Sequence, residues 1–192
     1  MIGRRPFLMG LGASLWAAPA FAQPGFTQLF DGKSLDGWTA LGNANWRIED
    51  GALVADKGTA SFLVTRDSYR DFELRAEFWV SDDANSGIFI RCSDRGHVDA
   101  IGAYEVNIYD RRPDPSYGTG AIVDVAKVSP MPKAGGRWNE MVIQAQGDRF
   151  DVVLNGTKTV ADAHDGKHAE GPVALQYGAG LVKFRKVEIR RL

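Results

Sequence analysis

The chain has 192 residues, 44% of them hydrophobic and 24% charged, with a formal net charge of -1. That length supports one well-buried core and is short for two, and balanced charge at a pI of about 6.3 leaves no basic face for a phosphate backbone, which sets nucleic acid aside as a partner. Twenty-two glycines and five tryptophans suit short strands joined by tight turns, so the composition leans all-β.

The first segment reads as an address. Arg4-Arg5-Pro6-Phe7-Leu8 leads into an apolar stretch from Phe7 to Ala18, and Pro19-Ala20-Phe21-Ala22 follows. This is the pattern of a signal peptide over residues 1–22, with an A-x-A cleavage site after Ala22. The apolar stretch falls short of the ~20 residues a spanning helix needs, so we expect removal and no membrane span afterwards. Adjacent arginines before Phe and Leu are of the twin-arginine type, which exports folded proteins; an ordinary secretory signal is the alternative. Both lead to the periplasm or beyond.

Residues 23–192 read as a single domain. Short alternating or apolar runs recur at Trp46 to Glu49, Ala52 to Ala55, Phe62 to Val64, Phe72 to Val80, Gly87 to Cys92, Tyr104 to Tyr109, Trp138 to Gln146, Phe150 to Leu154, Val173 to Tyr177 and Val182 to Ile189. Period-2 runs of this length are strands, and about ten of them predict a two-sheet antiparallel β-sandwich. Asp50-Gly51, Gly147-Asp148 and Asn155-Gly156 are hairpin turn signals. From Asp110 to Pro132, four prolines and two glycines forbid a regular element over most of the length, and a loop that long is usually functional.

In Phe72 to Val80, alternation puts Phe72, Leu74, Ala76, Phe78 and Val80 on one face and Glu73, Arg75, Glu77 and Trp79 on the other. Tyr104, Val106 and Ile108 likewise oppose Glu105, Asn107 and Tyr109. We expect these two strands to present carboxylate, amide and aromatic groups together. Such outer faces are ordinary in a sandwich, but Glu77, Trp79, Arg91, Glu105, Asn107 and Tyr109 are also the set that binds sugars: rings against C–H faces, polar groups on hydroxyls.

The remaining chemistry-bearing residues carry weaker signals. Cys92 stands alone in the chain, cannot form an internal disulfide and reads as an inert buried thiol. His97, His164 and His168 lie in polar stretches without metal-ligand company; His97, whose loop precedes the Tyr104 strand, is the one with a route to chemistry. Trp38, Trp46 and Trp138 read as packing.

Several phrases, in order, resemble the family of 3-keto-disaccharide hydrolases, or 3-keto-glycoside 1,2-lyase/hydratase domains. They are Leu29-Phe30-Asp31-Gly32-Lys33-Ser34-Leu35-Asp36-Gly37-Trp38, Asn85-Ser86-Gly87-Ile88-Phe89-Ile90-Arg91, Tyr104-Glu105-Val106-Asn107-Ile108-Tyr109-Asp110, Gly118-Thr119-Gly120-Ala121-Ile122, Trp138-Asn139-Glu140, Leu154-Asn155-Gly156, and Gly171 to Gln176 leading to Phe184-Arg185. The chain departs from that pattern at Asn107, where Gln is usual, and at Tyr177-Gly178, where His and Gly often follow Leu-Gln. The resemblance implies a concanavalin A-like jelly roll and a reaction on glycosides already oxidised to a ketone at C3.

In that reaction a base removes the acidified C2 proton, the C1 aglycone is eliminated, and water adds to the product. The site needs a base, donors for the enediolate oxygen and an acid for the leaving group. For that reaction Glu105, on the polar face of a strand running into the long loop, is expected as base or as ligand of a divalent cation, with Glu77 as a second carboxylate for that cation. Arg91, ending the Gly87 to Arg91 strand, is expected as donor to the enediolate or a sugar hydroxyl, unless it forms a structural ion pair. Asn107 and Gln176 would orient hydroxyls, Trp79 and Tyr109 would stack, and Asp110 would contact substrate or cap a turn. A sugar 3-dehydrogenase is the implied functional partner. A non-catalytic carbohydrate-binding module on the same scaffold is the competing expectation.

Overall fold

A computed structural model describes residues 25–192; the expected signal peptide lies outside the described residues. Thirteen strands are present among them: β1 (Thr27–Phe30), β2 (Trp38–Leu41), β3 (Arg47–Glu49), β4 (Ala52–Ala55), β5 (Ser61–Thr65), β6 (Phe72–Val80), β7 (Asn85–Ile90), β8 (Tyr104–Ile108), β9 (Trp138–Gln146), β10 (Arg149–Leu154), β11 (Thr157–His164), β12 (Ala174–Ala179) and β13 (Val182–Arg191). The ten expected runs are all strands, and β1, β2 and β11 are additional. No helix among the described residues is long and apolar enough to cross a membrane.

The strands form two antiparallel sheets. One is ordered β11-β10-β9-β6-β13-β4-β3, with β1 also paired to β13; the other is ordered β2-β5-β12-β7-β8. The core lies between them, filled from one side by Phe72, Leu74 and Phe78 of β6 with Phe184 of β13, and from the other by Leu63 of β5 and Ile88 of β7. Each such side chain contributes roughly 1.5–3 kcal/mol by leaving water. Period 2 breaks once in β13: Lys186 takes a φ of 50° in a bulge, which keeps Phe184 before it and Val187 after it both in the core. The Asn155-Gly156 turn between β10 and β11 has positive φ at both residues, 50° and 78°, as a two-residue hairpin turn requires.

The outer face of the five-stranded sheet is partly roofed. Val98 and Ala103, from the loop after β7, join Cys92, Phe89, Val64 and Ala174 in a second apolar cluster on that face. The long loop hooks onto β8, with Gly120 donating to the Asn107 carbonyl at 2.9 Å, Asn107 to Ala121 at 3.0 Å and Val123 to Glu105 at 3.0 Å. β8 is therefore not an open edge.

Candidate functional site on the five-stranded sheet

Cross-strand register sets the site. Gly87 of β7 pairs with Asn107 of β8 on one side and Gln176 of β12 on the other. One pleat along, Phe89 pairs with Glu105 and Ala174. Because side chains alternate along each strand, Glu105, Asn107 and Gln176 share the outer face while Tyr104, Val106, Ile108 and Leu175 enter the core. Gly87 is the floor between them: a β-carbon there would sit 3.4 Å from both Gln176 Oε1 and the Glu105 γ-carbon, and 3.3 Å from the Val106 carbonyl.

The three polar side chains are poorly satisfied for buried groups. Asn107 is fully buried, and its Nδ2 donates to the Tyr117 carbonyl at 2.7 Å. A carbonyl can only accept, so this contact fixes the amide with Oδ1 turned away. Asn107 Oδ1 and Gln176 Oε1 are both buried without a hydrogen-bond partner. Glu105 is 9% exposed, and burial pushes its pKa up to about 7, with Asp124 adding to the rise and Arg112 opposing it. A buried acceptor without a donor costs about 1–3 kcal/mol, so two of them beside a carboxyl with a raised pKa mark a place built for something other than stability.

The other sequence expectations are distributed elsewhere. Glu77 and Trp79 lie on β6, on the outside of the opposite sheet, so the two alternating strands do not present their polar faces together. Glu77 is paired with Arg185 at 2.6 Å and with Lys186; Trp79 carries the Lys183 ammonium 5.4 Å from its ring centroid. Glu77 is thus not available to share a cation with Glu105. The oxygens that could take a hard cation are those of Glu105, Asn107 and Gln176, and no group of three His, Cys, Asp or Glu with metal-site geometry occurs among the described residues.

Arg91 takes the structural one of its two expected roles and is an internal clamp, not a ligand donor. Its φ of 53° turns the chain at the end of β7, and the side chain is wholly buried against the Phe150 ring. The guanidinium donates to the carbonyls of Arg70, Gly147 (2.7 Å) and His168 (3.2 Å), with Asp71 at 3.4 Å. Asp110 is likewise a loop anchor: it accepts from the Thr119 hydroxyl at 2.6 Å and from the Ala134 and Gly135 amides at 2.8 and 2.9 Å. Tyr109 follows β8 in the alternation of Glu105 and Asn107 and is half-buried.

The histidines take other partners: His97 pairs with Asp99, His164 with Asp148 and Asp162, and His168 with the Ile101 carbonyl. Cys92 is buried, and desolvation raises its thiol to about 12, as expected of an inert thiol. Trp38 packs as expected, its indole donating to Leu29, whereas Trp138 is 37% exposed beneath the Arg185 guanidinium. Sequence reasoning missed two features, the Gly87 floor and Arg112. The first was visible as a lone glycine inside a strand pattern; the second sits in an aperiodic loop and gave no signal.

Residues 25–190 match the sequence pattern of the 3-keto-alpha-glucoside-1,2-lyase-like domain. The chain belongs to that family. A relative of this lyase-like domain, the 3-keto-disaccharide hydrolase of Bacteroides thetaiotaomicron, is 28% identical over 150 residues, covering 62% of this chain and 52% of its own. The chain thus spans about half the length of that curated relative. Among solved structures, two proteins of Parabacteroides distasonis, each provisionally described as a glycosyl hydrolase, superpose with TM-scores of 0.77 and 0.71 at 19% and 27% identity. They cover 88% and 87% of this chain and 94% and 99% of their own. A carbohydrate-binding module from Bacillus subtilis shares the fold at a TM-score of 0.60 and 19% identity, over 80% of this chain and 95% of its own.

Proposed function

We propose that this lyase-like domain is an exported carbohydrate-active enzyme that cleaves 3-keto-glycosides by elimination across C1 and C2, followed by hydration. The observation carrying the reading is Glu105: a buried carboxyl with no protein hydrogen-bond partner, a pKa of about 7, and two unpartnered amide oxygens beside it. A base poised near neutrality is suited to a carbon acid next to a ketone. Family membership and the named 3-keto-disaccharide hydrolase relative support the substrate class.

Ionised Glu105 takes the C2 proton, and the electron pair moves into the C2–C3 unit as an enediolate. The enediolate then expels the C1 oxygen, and the departing alkoxide takes the proton back from newly protonated Glu105. Asn107 Oδ1 and Gln176 Oε1 accept from sugar hydroxyls, which satisfies them only when substrate is bound. Arg112, whose charge acts on Glu105, and the Nε2 of Gln176 are the groups that can stabilise the developing negative oxygen. Water then adds to the unsaturated keto-sugar. The C3 ketone must be supplied by a sugar 3-dehydrogenase. Export follows from the paired arginines and the small-residue motif of residues 1–22.

A binding module remains the second reading, favoured by the departure at Tyr177-Gly178 from the His and Gly of the resembled pattern: none of the three histidines lies on this face, each taking partners in other loops. The deciding assay is release of a chromophoric aglycone from a 3-keto-glucoside by the purified protein and by Glu105→Gln, with and without chelator. Release that vanishes in the variant supports the enzyme, and loss with chelator adds a cation. Saturable binding without release leaves the module.

A further inference from the structure

The polar row of the site ends abruptly at Gln176. Its cross-strand neighbour on the far side is Phe62 of β5, and beyond Phe62 comes Leu41 of β2. Both are half-buried on an outer sheet face, where polar side chains are the rule. Phe62 packs edge-to-face on Phe89 at 5.2 Å, and both it and Leu41 lean on the buried Val64, Ala174 and Val98 cluster. The face is thus divided: carboxylate and amides over β8, β7 and β12, hydrocarbon over β5 and β2. Adjacent strands are ~4.8 Å apart, so the apolar half begins one strand from Gln176.

Direction follows from what closes the other side. Beyond Asn107 and Glu105 the sheet is sealed by the segment hydrogen-bonded to β8, in which Thr119, Ala121 and Ile122 are fully buried. A glycosyl ring seated over Gly87 with its C2 at Glu105 therefore has the Phe62 side into which to extend its C1 substituent. Building on the elimination reading above, we propose that the leaving-group subsite is apolar, formed by Phe62 with Leu41 beside it, and that it takes an aromatic or alicyclic aglycone in preference to a second sugar. Hydroxyls of a second sugar would meet no acceptor or donor over these two side chains, and their desolvation would be uncompensated.

The test compares two 3-keto-glucosides, one of cyclohexylmethanol and one of glucose. The sugar hydroxyl is the more acidic leaving group, so intrinsic reactivity favours the disaccharide and any reversal belongs to the protein. We expect kcat/KM at least ~10-fold higher for the cyclohexylmethyl substrate, carried mainly by KM. Phe62→Ser should abolish that preference by lowering kcat/KM on the cyclohexylmethyl substrate, and Phe62→Leu should retain it. Equal or faster cleavage of the disaccharide by the wild type, or equal losses on both substrates in Phe62→Ser, overturns the subsite. If neither substrate is cleaved, the elimination reading fails on its own. Calorimetric binding of the same pair to wild type and Phe62→Ser then decides: a cyclohexylmethyl preference lost in the variant upholds the subsite, and no preference overturns it.

Discussion

Gln176 and Glu105 meet over a missing side chain: Gln176 Oε1 and the Glu105 γ-carbon each lie 3.4 Å from the point where a Gly87 β-carbon would begin. They come from β12 and β8, which are not neighbours, and the glycine of the intervening β7 leaves the cradle between them.

Gly87→Ala should therefore separate folding from binding. Gly87 does not have a positive φ, so alanine is compatible with the strand and gains up to about 1 kcal/mol from the unfolded state. The added methyl would meet contacts of 3.3–3.4 Å and occupy the cradle. Thermal melting should be unchanged or slightly raised while KM for a 3-keto-glycoside rises by ~10-fold or more. A normal KM would place the substrate elsewhere.

Glu105→Gln should be more stable than wild type and inactive. Burial raises the Glu105 pKa from the ordinary 4.5 to about 7, so the folded state holds this proton more tightly than the unfolded chain. Below pH 4.5 both are protonated and nothing is lost. Between 4.5 and 7 stability falls, and above 7 the folded protein carries the full cost of a desolvated carboxylate, about 3 kcal/mol. The variant lacks that cost. Denaturant melts at pH 5 and 8 should show the wild type, not the variant, weakening over this window. As Glu105 must be ionised to act, kcat/KM should rise to a plateau through pH 7. A pH-independent rate would remove Glu105 as base.

Alternation is local, and it placed Glu105 and Asn107 on one face and Phe72, Leu74 and Phe78 in the core without knowledge of the fold. Sheet membership is not local. Glu77 and Trp79 alternate as clearly as Glu105 does, yet long-range pairing with β13 and β9 puts them on the outside of the other sheet. β11 escaped detection because it is an edge strand, polar on most positions, with Val160 its one buried residue. Arg91 escaped because its position depends on a positive φ and on carbonyls contributed from residues 70, 147 and 168.

Asp110→Ala should loosen the loop that completes the site. Its carboxylate holds Thr119 from within the loop and the Ala134 and Gly135 amides just past it, and Thr119 and Ala134 are fully buried. Removing the acceptor strands three donors at a combined cost of about 2–4 kcal/mol. Limited proteolysis should become faster within residues 110–132, with KM raised because the same loop supplies the Tyr117 carbonyl that fixes Asn107. Asp110→Asn, which keeps one acceptor oxygen, should fall between. Unchanged proteolysis would show that the loop is held by other contacts.

Arg91→Lys separates the clamp from a direct part in chemistry. The guanidinium reaches three carbonyls from three segments at once, a fan that a single ammonium cannot reproduce. Carbonyls left without donors in a buried setting cost about 1–3 kcal/mol each, and at 2–4 °C per kcal/mol for a domain of this size the melting temperature should fall by roughly 5–10 °C. Turnover measured well below that temperature should stay within about threefold of wild type with the same pH profile, because Arg91 touches neither Glu105 nor its amide neighbours. Normal melting with turnover lost by ~100-fold would return Arg91 to the reacting centre.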